Sequence, residues 1–171
     1  MRVKNNQRSA FTLIELLVVV SVMLIFIGSV LAQYNIFTQQ TKLKNDAKKL
    51  LDVIELAKKK ALSADLLITP GVPPTTCSLF TGYRLTLSAN NYSLLYCCNS
   101  ICTTNINTYT FNNTNITISS GTGNYDFPPL MNNPTFISNT IQLKNSTIDK
   151  CVNISISAIG IVELDEKLNP C

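Results

Sequence analysis

The sequence predicts an α+β protein: one long N-terminal helix, transmembrane in its first half, packed by its second half on an antiparallel β-sheet domain. Three observations carry this reading. Phe11 to Ala32 is an unbroken apolar run in which Glu15 is the only ionisable side chain. Beyond it, an apolar stripe continues at helical spacing, with no proline before Pro70. After Pro70, short stretches alternate apolar and polar residues, the period of strands with one buried face.

The first element is a basic leader, "MRVKNNQRSA", carrying Arg2, Lys4 and Arg8. It has no apolar core of its own, and its small pair Ser9-Ala10 precedes the apolar run. A secretory signal would place its small residues after that run. The positive-inside rule keeps residues 1–10 in the cytoplasm and exports the remainder. The run itself covers about 33 Å at 1.5 Å per residue, enough for one crossing. Glu15 costs about 2.5–3.5 kcal/mol at membrane depth, so something must offset it.

The helix is expected to continue to about Ala64. Leu43, Ala47, Leu50, Ile54, Ala57 and Ala61 form one apolar stripe at alternating steps of four and three. Lys42, Lys44, Lys48, Lys49, Lys58, Lys59 and Lys60 are assigned to the opposite face, relieved by Asp46, Asp52 and Glu55. Such a face is a solvated surface first. Lys58, Lys59 and Lys60 are its weaker candidates for contact with lipid headgroups or DNA. "ITPGVPP" then ends the helix.

In the exported part, "GYRLTLS" and "NYSLLYC" around "ANN" read as an antiparallel hairpin. "NITIS", "NTIQL", "CVNISIS" and "GIVEL" repeat the period of two. Val152, Ile154 and Ile156 are expected to face inward, with Asn153, Ser155 and Ser157 outward. "SGTGNYDFPPLMNNPTF" reads as a loop by composition.

Composition excludes several function classes. There is no histidine, which removes the commonest general base and metal ligand. No glycine-rich phosphate loop or nucleophile–base pair is visible, so no enzymatic activity and no cofactor are expected. The net charge of +4 falls to +1 once Arg2, Lys4 and Arg8 are set aside, no footprint of a nucleic-acid binder. The apolar run also inflates the hydrophobic fraction of 46% and the mean hydropathy of +0.19.

Cys77, Cys97, Cys98, Cys102, Cys151 and Cys171 all lie beyond the apolar run. An even number on one side of a membrane segment reads as disulfides in an oxidising compartment. A zinc site is the rival: Cys98 and Cys102 have acceptable ligand spacing, but no second short pair follows. If residues 157–161 turn a hairpin, its strands run back to Cys151 and Cys171 together, which favours that bond. Cys77, Cys97, Cys98 and Cys102 then share the other two, with the pairing open. Five Asn-x-Ser/Thr triplets, at Asn91, Asn112, Asn115, Asn145 and Asn153, are close to accidental in so Asn-rich a chain.

"SAFTLIELLVVVSVMLIFIGSVLAQY" resembles the N-terminus of type IV pilins and pseudopilins. That resemblance implies cleavage by a prepilin peptidase between Ala10 and Phe11, N-methylation of Phe11, and a filament-assembly role for Glu15. It also implies a pilin-like fold. Cleavage leaves a positive amine at Phe11, and a carboxylate among packed apolar helices favours any register that brings it to an amine. Ala10 stands where the family usually has glycine, and Ala32 where proline or glycine is common. Further on, "LLDVIELAKKKALSAD" and the order "GYRLTLS", Phe-Pro loop, "NISISAIGIVEL" resemble the H-type minor pseudopilins of type II secretion. Some relatives bind DNA during uptake. Here Ile161 follows Gly160 where an arginine is common, and the tail carries Glu163, Asp165 and Glu166 against Lys167, so nucleic acid is disfavoured.

The resulting expectation is a structural minor pilin or pseudopilin with a leader at 1–10, a filament-core helix at 11–32, an amphipathic continuation at 33–66 and a disulfide-linked β domain at 67–171. Its implied partners are other pilins or pseudopilins, the prepilin peptidase, the inner-membrane assembly platform and membrane lipid. The alternatives are a DNA-binding minor pilin and a membrane-anchored exported protein with a cysteine metal site.

Overall fold

The computed structural model describes residues 12–63, 77–129 and 138–171, without the side chains of 29–32. The chain divides into two compact units, one ending at Thr38 and one beginning at Gln39. Helix α1, Leu13–Leu62, belongs to both. Its first turn is capped by Thr12: the Glu15 N–H donates to Thr12 Oγ1 at 3.3 Å and the Leu16 N–H to the Thr12 carbonyl at 3.2 Å. Thr12-x-x-Glu15 is the sequence pattern of a capping box, and an acidic side chain in the first turn also suits the helix dipole. At the other end Lys59 and Lys60 occupy the last turn, where positive charge is favoured.

From Leu13 to Gly28, Glu15 and Ser21 apart, the side chains of α1 are apolar and exposed. Leu13, Ile14, Ile25 and Phe26 are each more than 60% exposed. Two hydroxyls are satisfied within the helix, Ser21 Oγ donating to the Leu17 carbonyl and Thr38 Oγ1 to that of Tyr34, both at 2.8 Å. Such a surface suits lipid or other apolar helices, and α1 is long and apolar enough to cross a membrane.

The second unit contains the remainder of α1 and two four-stranded antiparallel sheets. One has the order β3-β2-β1-β5, built from β1 Phe80–Leu87, β2 Asn91–Cys98, β3 Ile101–Thr110 and β5 Gly123–Phe127. The other has the order β4-β6-β7-β8, built from β4 Ile116–Ser120, β6 Asn139–Asn145, β7 Lys150–Ile156 and β8 Val162–Pro170. All six stripe residues of α1 are buried, and they share one core with Leu85, Leu94, Ile116, Ile141, Leu143, Val152 and Ile154. Alternation on β7 places Val152, Ile154 and Ile156 in that core, with Asn153 half-buried and Ser155 exposed.

The β1–β2 hairpin forms around Ser88–Asn91, with Leu87 opposite Tyr92. Gly82 has φ +126°, and a Cβ there would strike the Phe127 carbonyl, so glycine permits the close approach of β1 to β5. Tyr125 Oη donates to the Gly121 carbonyl at 2.7 Å and accepts from Asn139 Nδ2 at 2.9 Å, tying one sheet to the other.

Three sequence expectations need correction. Residues 123–127, read as loop, are β5, whose Tyr125 and Phe127 are buried against the core. Long-range pairing with β1 overrides a turn-rich composition there. Strand β3 was not anticipated, because an edge strand with exposed Thr and Asn has no apolar alternation to signal it. Asp46, assigned to the solvated helix face, is only 2% exposed. The adjacent Ala47 belongs to the buried stripe, and the segment after β3 folds over the carboxylate.

Candidate functional site

The candidate residues fall into an N-terminal segment and three cysteine pairs. Ala10 and Phe11 lie outside the described residues. Glu15 sits exposed in the first turn of α1, one turn from the capping Thr12. Among described residues from Thr12 to Gly28, Glu15 is the only charged side chain, set at the end of an apolar surface. The geometry places a hydrogen-bond acceptor beside the point where the chain enters the helix. A carboxylate in that position can receive an amine from another chain.

All six cysteines are joined: Cys77–Cys98, Cys97–Cys102 and Cys151–Cys171, with Cα separations of 5.6, 4.1 and 5.2 Å. Residues 157–161 turn as a hairpin, with the Ser157 N–H donating to the Ile161 carbonyl and the Ile161 N–H to Ser157 Oγ, both at 2.9 Å. This returns β8 alongside β7, places Asn169 opposite Cys151 and brings Cys171 within bonding reach. The other two bonds lie at the β2–β3 turn, where Asn99 and Ser100 both have positive φ. Cys98 reaches the segment before β1, and Cys97 clasps β3 through Cys102. No sulfur is left as a thiolate, and no metal-holding group of His, Cys, Asp and Glu occurs among the described residues.

The three lysines proposed as contact candidates all have intramolecular partners. Lys58 Nζ donates to the Gly160 carbonyl in the β7–β8 turn. Lys59 pairs with Glu55 at 3.2 Å, and the Lys60 ammonium lies 6.0 Å from the centroid of the Tyr83 ring. Lys48 meets Glu166 at 2.9 Å, so the acidic tail is engaged by the basic helix face. That ion pair holds the Glu166 carboxyl below its ordinary value, first through its hydrogen bond and then through charge.

Sequence reasoning missed a polar anchor along α1. Asp46 Oδ2 accepts the Asn112 N–H at 3.2 Å, and Oδ1 accepts Asn112 Nδ2 at 3.1 Å. Gln39 Oε1 accepts from Asn113 Nδ2 at 2.8 Å and from the fully buried Asn145 at 3.2 Å. Burial pushes the Asp46 carboxyl above its ordinary value, more strongly than Lys49 and the Asn112 and Asn113 hydrogen bonds pull it down. These groups anchor the β3–β4 segment to the helix. No local pattern marks them, since their partners lie 66 to 106 residues away.

Residues 5–31 match the prokaryotic N-terminal methylation motif, the segment containing Ala10, Phe11 and Glu15. No curated protein and no solved structure matches the chain. The motif, the apolar helix and the helix-on-sheet architecture together support a pilin-like or pseudopilin subunit.

Proposed function

We propose that this chain is a structural minor pilin or pseudopilin. The prepilin peptidase cuts it between Ala10 and Phe11, Phe11 is then methylated, and the subunit joins a filament through its apolar helix. The leader stays cytoplasmic, and the disulfide-bonded domain is exported to the periplasm or cell surface. The protein acts by assembly and contact rather than by catalysis. The observation that carries this reading is the methylation motif over residues 5–31 covering the exposed apolar start of α1, with Glu15 in its first turn. Cleavage generates the amine, Glu15 supplies the matching carboxylate, and the apolar surface excludes water from their encounter.

The resemblance to H-type minor pseudopilins favours a place among the less abundant subunits of a type II secretion pseudopilus or type IV pilus. DNA binding has little support, because Lys58, Lys59 and Lys60 are engaged within the chain. The test is the intact mass of the membrane-derived protein before and after reduction. A chain starting at Phe11 and one methyl group heavier, gaining six hydrogens on reduction, is expected. An uncut chain starting at Met1 would overturn the reading.

A further inference from the structure

Two disulfides meet at the β2–β3 turn, and they hold it in different ways. Cys77–Cys98 ties the turn to the segment before β1. Beside it the Asn99 N–H donates to the Leu79 carbonyl at 2.9 Å, and the Ser100 N–H to Thr81 Oγ1 at 3.2 Å. The turn is therefore fastened to β1 without help from Cys97–Cys102. That second bond crosses the turn from β2 to β3. Its sequence separation is 5, against 21 for Cys77–Cys98 and 20 for Cys151–Cys171. A short loop restricts the unfolded chain least, so in the chain-entropy account this bond adds least to global stability.

What Cys97–Cys102 does hold is the start of β3. The β2–β3 ladder is irregular between Tyr96 and Cys98 and again between Leu94 and Leu95. Thr103, Thr104 and Asn105, between those two breaks, are exposed. Asn99 and Ser100 have φ of 51° and 66°, a region that residues with a Cβ occupy at a cost. Opening the bond lets this turn relax and frees the first half of β3, while the core strands keep their pairing. Such an opening is local rather than global.

The bond is also reachable. Cys97 and Cys102 both line an open pocket of about 290 Å³, with Arg84 and Asp126 on its wall. Those two charges are paired with each other at 2.5 and 2.9 Å, so an approaching thiolate meets a neutral pair rather than a lone carboxylate. Cys97 is only 4% exposed and Cys102 is half-buried, which makes Cys102 the sulfur open to attack.

We propose that Cys97–Cys102 is a thiol–disulfide exchange site, opened through this pocket by an external dithiol of the kind Cys-x-x-Cys proteins carry. One thiolate of the dithiol attacks Cys102 Sγ, a mixed disulfide forms, and Cys97 leaves as a thiolate. The second thiol of the dithiol, as its thiolate, then attacks its own sulfur in that mixed disulfide. Cys102 departs as a thiolate, the dithiol becomes a disulfide, and two electrons have passed to the cysteine pair. The reverse sequence closes the bond. Cys77–Cys98 and Cys151–Cys171 keep the domain folded throughout. This inference goes beyond the filament reading and stands whether or not the chain is cleaved at Ala10.

The test treats the oxidised full-length chain in detergent micelles with dithiothreitol, quenches with acid, alkylates free thiols and maps them by mass. Cys97 and Cys102 are expected to be labelled at least about tenfold faster than the other four cysteines, with amide exchange accelerating over 101–106 alone. In concentrated urea this preference is expected to vanish, because it comes from the fold. Glutathione, which has one thiol, is expected to leave its mixed disulfide on Cys102. The double variant Cys97→Ser, Cys102→Ser is expected to fold with the other two bonds formed. Earlier opening of another bond, or opening of all three together, would overturn the proposal. So would a preference that persists in urea, a glutathione adduct on Cys97, or a double variant that fails to form the other bonds.

Discussion

Asp46 on α1 grips both the backbone N–H and the side-chain amide of Asn112, at 3.2 and 3.1 Å, from a position only 2% exposed. One carboxylate thereby fastens the segment after β3 to the helix that organises the domain. Its cost is desolvation, which raises its pKa despite three kinds of favourable contact.

Replacing Asp46 by alanine leaves the Asn112 donors facing a buried vacancy. Asp46→Ala is expected to cost about 1–3 kcal/mol in unfolding by urea, the range for stranding buried hydrogen-bonding groups. An unchanged urea midpoint would show that Asn112 finds other partners.

The same residue sets a pH dependence. A carboxyl with a raised folded pKa binds more protons folded than unfolded, so its contribution is complete below the unfolded value of 3.8. It is lost as pH rises through the folded pKa. Asp46→Asn is expected to remove this component, leaving a stability profile that rises more steeply between pH 3.8 and neutrality than that of the parent. Superimposable profiles would contradict the assignment.

The Cys151–Cys171 bond closes a loop of sequence separation 20 and pins the end of β8. Serine at both positions is expected to lower stability by about 3 kcal/mol, read by chemical denaturation of the otherwise oxidised protein. A loss confined to β8 exchange, with global stability unchanged, would make the bond a local clamp only.

Ile54 and Lys59 make a useful contrast on one helix. Ile54 is fully buried beneath the sheets, and Ile54→Ala is expected to cost about 2–5 kcal/mol. Lys59 makes an exposed pair with Glu55, and Lys59→Ala should change stability by less than about 1 kcal/mol. Paired thermal melts decide this, and similar losses would mean that the stripe is misassigned.

Glu15 separates assembly from folding. Glu15→Ala is expected to leave membrane insertion and all three disulfides intact while reducing recovery of the protein in sheared filaments at least about tenfold. Normal recovery would remove Glu15 from the assembly step.

By itself the sequence determined what depends on neighbours along the chain. The span and its single charge, the helical stripe from Leu43 to Ala61 and the alternation of Val152, Ile154 and Ile156 are local periodicities, each written in the order of side chains. Even the Thr12-x-x-Glu15 cap is a four-residue pattern. Tertiary structure decided what depends on partners far away. β5 is a strand because β1 accepts it, and β3 because the edge of β2 was open, although neither composition announces a strand. Asp46 is buried rather than solvated because Asn112, 66 residues on, satisfies its oxygens. The pairings of Cys97 and Cys98 follow from a turn that sends adjacent residues to different neighbours. Periodicity reports which face of an element is apolar, and the rest of the chain sets which polar residue that face can shelter.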